Sequence, residues 1–193
     1  MRRIIREIRT AFVATITLAI LVSGIYPLMV WGTAQVLFPF EANGSLIRKG
    51  GMTIGSRLLA QDFTAVHYFH PRPSAAGTGY DALSSGGSNR GPLSRELLNT
   101  TGQRVMKYRA ENTIPPTARI PADAVTASAS GLDPHISPEN AFMQAARISR
   151  ARGLSQEVLR QKITARMEER ELGILGEPRV NVFLLNLDLD RNE

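Results

Sequence analysis

The sequence predicts one N-terminal transmembrane α-helix followed by a small mixed α/β domain outside the cytoplasm. No charged residue occurs between Thr10 and Phe40, and four arginines precede that stretch. The rest of the chain alternates helical apolar stripes with connections that are rich in proline and glycine. With 193 residues and 43% hydrophobic content, the chain can form one core in addition to a membrane anchor.

The first element is a membrane anchor over residues 11–31, AFVATITLAILVSGIYPLMVW. Twenty-one residues of helix cover about 30 Å, which is the thickness of the hydrocarbon core. A cleaved signal peptide has a shorter apolar stretch of about 7 to 15 residues. Tyr26, Pro27 and Trp31 suit the membrane interface better than a cleavage region. We therefore expect an uncleaved anchor rather than a cleaved signal or a buried core helix.

Charge predicts the direction of this anchor. The four arginines lie within residues 1–10, whereas the first charged residue after the span is Glu41. Positively charged flanks stay on the cytoplasmic side of a membrane. We expect residues 1–10 in the cytoplasm and residues 32–193 in the periplasm, as a single-pass protein of the inner membrane.

The region after the anchor begins with short elements. A strand is predicted at residues 45–48, and the spacing of leucines in IGSRLLAQDF predicts a short helix over residues 54–63. Residues 67–91 contain many glycines and prolines and are expected to form a long loop. Apolar side chains are expected to anchor that loop, namely Tyr68, Phe69, Tyr80 and Leu83.

The second half contains the predicted helices. Pro92 suits the first turn of a helix that extends to Arg109, and residues 125–129 are read as a strand. Ser137 is expected to cap a helix that ends at Gly153.

A further helix should follow, capped by Ser155, so that the two helices form a hairpin. The terminal stretch RVNVFLLNLDLD has apolar residues at odd and even positions. It is therefore predicted to be a central strand with Leu185 and Leu187 buried.

Composition excludes several functions. The absence of cysteine rules out disulfides, zinc–thiolate sites and thiol nucleophiles. Half of the net charge of +6 lies in the first ten residues, and the other half is spread over the rest of the chain. Nucleic-acid binding is therefore not expected. His67 and His70 stand three residues apart, but Pro71 disfavours a helix at this point and few further ligands are near in sequence. No metal site is predicted.

Two other patterns resemble catalytic motifs only weakly. Asp133, His135 and Ser137 stand two residues apart, but a triad is defined by geometry, and this stretch reads as a turn followed by a helix cap. No S-x-x-K motif is present, so a lysine-dependent serine hydrolase is unsupported. The acidic residues near Glu168 are read as a solvated helix end shared with Arg166.

The glycine tract LSSGGSNRGP at residues 83–92 has two possible readings. It lacks the lysine of a nucleotide-binding P-loop and the G-x-G-x-x-G pattern of dinucleotide sites. Its serine and asparagine side chains can satisfy their own backbone in a packed loop, or they can bind a small ligand with help from Arg90. We favour a structural or docking role.

Four stretches of sequence resemble one family over nearly the whole chain. They are YFHPRPSA at 68–75, SSGGSNRGP at 84–92, VTASASGLDPHISPENA at 125–141 and GEPRVNVFLLNLDLD at 176–190. They resemble the C subunit of the Kdp potassium-transporting ATPase. The chain departs from the family pattern at Arg90, where a residue such as leucine is expected.

The resemblance implies an accessory subunit of a complex that uses ATP to take up potassium at high affinity. The implied partners are a potassium-binding channel-like subunit, a P-type ATP-hydrolysing subunit and a small single-span subunit. The subunit itself is expected to be non-catalytic, without a firmly bound cofactor, and to serve assembly and coupling.

The resemblance also implies an alternative, a catalytic chaperone that raises the ATP affinity of the hydrolysing subunit through a transient ternary complex. Gln61 matches the family's nucleotide-contacting glutamine. Because ATP is cytoplasmic and the charge pattern places Gln61 outside, we favour docking. A membrane-anchored periplasmic hydrolase is the remaining alternative.

The glycine tract is accordingly predicted to shape a docking surface for the potassium-binding subunit near its outer entrance. The residues of this predicted docking loop are Ser85, Gly86, Gly87, Ser88, Asn89, Gly91 and Pro92.

Overall fold

The computed structural model describes residues 1–191, so the last two residues of the predicted periplasmic domain lie outside the described part. The chain forms two compact units, Met1–Ser56 and Arg57–Glu193. We refer to them as the N-terminal and the C-terminal unit.

The N-terminal unit is built on one long helix. It consists of α1 (Arg2–Ala19), a π-helical segment (Ile20–Ile25) and α2 (Tyr26–Leu37). Pro27 has no N–H to donate to the preceding turn, and the wider π segment lies directly before it. The helix Arg2–Leu37 is long and apolar enough to cross a membrane, because it contains an 18-residue window with a mean hydropathy of 2.1 and no buried residue. It extends beyond the predicted span 11–31 at both ends.

Short elements complete this unit. Helix α3 (Pro39–Ala42) leads into an antiparallel hairpin of β1 (Leu46–Lys49) and β2 (Met52–Ser56). The turn at Gly50 and Gly51 has positive φ angles of 59° and 83°, which glycine adopts at no steric cost. The predicted strand at 45–48 is thus confirmed within one residue.

Within residues 57–191, the C-terminal unit combines four helices with a three-stranded antiparallel sheet. The helices are α4 (Arg95–Asn112), α5 (Pro138–Arg152), α6 (Gln156–Ala165) and α7 (Val182–Asp190). The strands are β3 (His135–Ile136), β4 (Met167–Glu168) and β5 (Arg179–Asn181), in the order β3-β5-β4. A single turn of 3-10 helix occurs at Ala122–Ala124.

The hydrophobic core lies where α5, α6 and α7 pack together with the central strand β5. One irregular residue, Phe69, is completely buried among them. The core residues are Phe69, Ile136, Ala141, Ala145, Ile148, Leu159, Ile163, Val180, Val182, Leu185 and Leu189.

The predicted helical hairpin of α5 and α6 is confirmed. Ser137 accepts a hydrogen bond from the backbone N–H of Asn140, and Ser155 accepts one from Val158. Gly153 ends α5 with a φ of 67°, the left-handed conformation that glycine favours at this position.

The terminal stretch differs from its prediction. Only Arg179–Asn181 forms a strand, although it does occupy the centre of the sheet, and Val182–Asp190 is the helix α7. Asn181 caps α7 by accepting from the N–H of Leu184. Leu185 is buried as predicted, whereas Leu187 is only half-buried. Apolar residues at odd and even positions here reflect a helix that is covered on most of its circumference.

Four other predictions are wrong. The predicted helix over residues 54–63 is absent, because residues 54–56 belong to β2 and residues 57–63 are irregular. Residues 125–129 form no strand. Helix α4 begins at Arg95 with Ser94 as its cap, three residues later than Pro92. Leu83, expected to anchor the long loop, is 99% exposed.

Candidate functional site

Two irregular segments lie before α4 in the C-terminal unit. Residues 65–80 form the first, which we call the clamped segment. Residues 83–92 form the second, the glycine tract. The long loop predicted between residues 67 and 91 is confirmed, since no helix or strand occurs there.

Buried amide side chains hold the clamped segment. Asn186 of α7 accepts from the N–H of Phe69 at 2.8 Å and donates to its carbonyl at 2.9 Å. Gln144 of α5 binds the backbone of His70 in the same way, at 2.7 and 3.1 Å. These side chains replace the backbone partners that a sheet would supply, so an irregular segment can lie inside the core.

Two arginines of α5 extend this clamp. Arg147 is buried and donates to the carbonyl of Val66, to Asn112 and to Gln144. Arg152 donates to the carbonyl of His67 at 2.8 Å and pairs with Asp190 at 2.7 Å. These bonds satisfy guanidinium groups that would otherwise be costly to bury.

The glycine tract is held by one neighbouring stretch of backbone. The N–H of Gly86 donates to the carbonyl of Ser130 at 2.9 Å, and the hydroxyl of Ser85 donates to the same oxygen at 3.0 Å. Gly86 therefore does not direct its N–H toward a bound phosphate, as the amides of a P-loop do.

The two adjacent glycines differ in their surroundings. A Cβ atom on Gly87 would lie 2.9 Å from the carbonyl oxygen of Ala129, whereas one on Gly86 would meet nothing within 4 Å. Gly131 on the facing stretch has a φ of 68°, and its Cβ would lie 2.6 Å from the backbone nitrogen of Ala76. Close approach of backbones thus explains Gly87 and Gly131, while Gly86 remains open to solvent on one side.

A groove of about 510 Å³ separates the tract from α4. Gly87 and Ser88 line one wall, and Arg104 of α4 lines the other. Arg90 also faces the groove and pairs with Glu96. Burial lowers the pKa of Arg104, although the guanidinium stays charged at neutral pH.

The remaining tract residues lead into α4. Asn89 has a φ of 50°, a left-handed conformation that asparagine tolerates well. The carbonyl of Gly91 accepts from the N–H of Ser94, and Pro92 lies in that turn. The predicted docking loop is therefore one continuous surface feature that ends at the cap of α4.

A second hollow, of about 620 Å³, lies on the other side of the tract. Leu58, Leu59 and Ser85 line it together with residues 127–130. Leu58 is 53% exposed and Leu59 is 38% exposed. The leucines were expected to lie in a short helix, and the structure instead places them in an irregular stretch beside the tract. We call residues 58–59, 85–88 and 127–130 the tract surface.

Gln61 lies just after the tract surface and is half-buried. Its carbonyl accepts from the N–H of Phe63, and the preceding Ala60 donates to Leu132. A polar cavity of about 230 Å³ lies next to it. Asp62 lines this cavity, whereas Gln61 does not. Tyr80 borders this cavity, and burial raises its pKa to about 12.

Asp133, His135 and Ser137 do not form a relay. The hydroxyl of Ser137 donates to Asp123 at 2.9 Å, whereas Nδ1 of His135 lies 3.2 Å from Asp133. Burial alone would raise the pKa of Asp133, but hydrogen bonds from His135 and the charge of Arg72 outweigh it and lower the pKa.

The acidic residues after α6 also have a different environment from the one expected. The helix ends at Ala165, so Glu168 belongs to β4, where it pairs with Arg179 at 2.9 Å. Arg166 instead bonds Asp188 of α7. Among residues 1–191, no group of three or more histidine, aspartate and glutamate side chains is arranged to hold a metal ion.

Sequence reasoning missed Gln144 and Asn186, which hold the clamped segment. Gln144 lies in the apolar stripe of Ala141, Ala145 and Ile148, and Asn186 lies within an apolar run. An amide at an otherwise apolar helix face was the available signal, because a buried amide needs partners from another segment.

The architecture combines one membrane-sized helix with a small helix-and-sheet unit that exposes irregular loops. Comparison with known proteins identifies the system. Residues 8–191 match the KdpC family, described as "K+-transporting ATPase, c chain". The chain belongs to this family, and it is an accessory subunit of a multi-subunit potassium-uptake complex.

Relatives named "Potassium-transporting ATPase KdpC subunit" support the assignment. The Myxococcus xanthus protein is 53% identical over 184 residues, which cover 94% of this chain and 86% of that protein. The Rhodospirillum rubrum protein is 51% identical over 187 residues, or 96% of each chain. The Koribacter versatilis protein is 48% identical over 185 residues, covering 96% of this chain and 94% of that protein.

Proposed function

We propose that this chain is a non-catalytic subunit that supports assembly and coupling of the potassium pump from the outer side of the inner membrane. Its N-terminal helix has 36 residues, or about 54 Å at 1.5 Å per residue, which exceeds the hydrocarbon thickness of about 30 Å. The arginine-rich first turns can therefore lie in the cytoplasm while residues 11–31 cross the membrane.

The tract surface is the proposed contact with the potassium-binding channel-like subunit, near its outer entrance. One observation carries this proposal. The N–H of Gly86 and the hydroxyl of Ser85 tie the tract to the carbonyl of Ser130, so its shape is set before any ligand binds. A preformed surface with exposed Leu58 and Leu59 next to hydroxyl groups suits protein contact, because little conformational entropy is lost on association.

The other proposed partners are the ATP-hydrolysing P-type subunit and the small single-span subunit. In this proposal, the chain couples the potassium-binding and ATP-hydrolysing subunits by keeping them in one complex. Its own side chains perform no step of ATP hydrolysis.

A bulky substitution at the tract tests the proposal. Ser88 is exposed, so Ser88→Trp should leave the fold intact and obstruct docking. We expect co-purification with the other subunits to fall about tenfold and growth at limiting potassium to fail. Lys107→Trp, on the exposed side of α4, is the matched control and should leave assembly unchanged. Normal assembly of the Ser88→Trp variant would refute docking through the tract.

A second candidate function rests on the groove between the tract and α4. Arg90 and Arg104 face it, and two guanidinium groups favour a phosphate-bearing ligand. In that case the chain would act as a catalytic chaperone that raises the ATP affinity of the hydrolysing subunit in a ternary complex. Equilibrium binding of ATP to the full-length chain decides between them. Docking predicts no saturable binding, and saturable binding that Arg104→Gln or Gln61→Ala abolishes would support the chaperone.

A further inference from the structure

The hairpin tip between β4 and β5 exposes three large apolar side chains. Leu172 is 88% exposed, Ile174 is 75% exposed and Leu175 is 55% exposed. All three lie within residues 172–175, and none of them belongs to the hydrophobic core. Clustered exposed apolar groups with a polar rim are typical of interaction sites, unlike single exposed leucines.

The backbone of this tip makes leucine an unfavourable choice for folding. Glu171 and Leu175 exchange two backbone hydrogen bonds of 2.9 Å, and the turn between them gives Leu172 a φ of 54° and Gly173 a φ of 76°. Side chains other than glycine and asparagine rarely adopt this left-handed region. Leu172 gains no burial that would offset the cost, so its presence points to a contact outside the chain.

Ion pairs hold the base of the tip in one shape. Arg170 pairs with Glu177 at 2.5 Å across the hairpin. Arg179 of β5 pairs with Glu168 at 2.9 Å and with Glu171 at 3.5 Å. A tip that is already ordered loses little conformational entropy when it binds.

Charge selects the kind of partner. Residues 168–179 contain four glutamates and two arginines, which leaves a net charge of −2. Anionic lipid headgroups repel such a base, and the tip lacks the tryptophan, tyrosine and lysine that anchor segments at a membrane interface. A protein cleft with an apolar floor and a rim of lysine or arginine would complement both features.

We propose that residues 172–175 form a second docking element, which inserts Leu172, Ile174 and Leu175 into an apolar cleft with a basic rim on another subunit of the potassium-transporting complex. This proposal rests on membership of the complex and is independent of the tract surface. The two proposals are tested independently, because a variant at the tip leaves residues 85–88 of the tract surface unchanged.

The variant Leu172→Asn separates folding from docking. Asparagine adopts positive φ more readily than leucine, so the melting temperature of the full-length subunit should stay the same or rise. Association with the other subunits should weaken about fivefold or more, as for an anchor residue at an interface. Met106→Asn removes an exposed apolar side chain from α4 and is the control, with no expected effect on association. Unchanged association of Leu172→Asn would overturn the proposal.

Labelling the tip distinguishes a protein cleft from the membrane. The chain has no cysteine, so Ile174→Cys can carry a polarity-sensitive fluorophore as the single label on this subunit. The full-length subunit alone in lipid nanodiscs should give water-like emission, and the assembled complex should give a blue shift. Water-like emission in both states would overturn the proposal. A blue shift in the lone subunit that spin-labelled lipid quenches would assign the tip to the membrane and would also overturn it.

Discussion

The clamped segment at 65–80 and the glycine tract at 83–92 follow one another in the chain, and both lack helix and strand. In the first, the backbone of Phe69 is inside the core and bonded to Asn186. In the glycine tract, the N–H of Gly86 bonds to the carbonyl of Ser130 on a neighbouring stretch, and Ser88 faces solvent. The comparison shows that an irregular segment can be a structural element or a recognition surface, depending on which side chains satisfy its backbone.

The largest expected effect is on the clamped segment. Asn186→Leu keeps the number and branching of the side-chain heavy atoms but leaves the N–H and C=O of Phe69 buried without partners. We expect a loss of about 2 to 5 kcal/mol in the free energy of unfolding, measured by chemical denaturation of the full-length subunit. Asn99→Leu makes the same change at an exposed position of α4 and should cost less than about 0.5 kcal/mol. Equal effects of the two changes would show that the clamp is not a major source of stability.

A smaller effect is expected at the two adjacent glycines of the tract. Gly87→Ala places a methyl group 2.9 Å from the carbonyl oxygen of Ala129, so the facing stretch must move. Gly86→Ala meets open space. We expect Gly87→Ala to lower stability by about 1 kcal/mol and to weaken assembly, whereas Gly86→Ala should leave stability nearly unchanged.

Thermal melts and co-purification of the two glycine variants check this expectation. If both variants behave alike, close packing of the tract against Ala129 does not determine its shape.

The smallest effect concerns His70 and pH. Burial lowers the pKa of His70, and the charge of Arg147 acts in the same direction, while Glu111 opposes them. The unfolded chain therefore binds the proton more tightly, so this contribution to stability is present above about pH 6.5 and is lost as pH falls through the folded pKa. His70→Gln should reduce the slope of stability against pH between about 5 and 7. An unchanged slope in that variant would assign the dependence to other groups.

Local signals were sufficient for part of the fold. Ser137 and Gly153 mark the ends of α5 because a cap and a left-handed terminal glycine depend only on nearby atoms. The long loop and the burial of Phe69 also followed from local composition. The glycine tract was identified as one surface feature, although its contact with Ser130 depends on a segment 45 residues away.

Other features depend on distant contacts. Residues 182–190 have apolar side chains at odd and even positions, which suits a buried strand as well as a buried helix. Buried residues at 182, 185, 186 and 189 follow the helical period, and Asn181 caps the helix, so the helical signal was present but ambiguous. The exposed positions of Leu58 and Leu83 could not be inferred, because exposure depends on which surfaces the rest of the chain covers.

The most direct test of the docking account combines topology with protection in one labelling experiment. Lys107→Cys and Ser88→Cys each introduce a single thiol on this subunit at an exposed position. A membrane-impermeant maleimide is applied to spheroplasts that express the subunit alone or with its partners. We expect Lys107→Cys to react in both cases, and Ser88→Cys to react in the lone subunit but to be protected in the complex. Reaction of Lys107→Cys only after lysis, or equal reaction of Ser88→Cys in both cases, would contradict docking of the tract at the outer face.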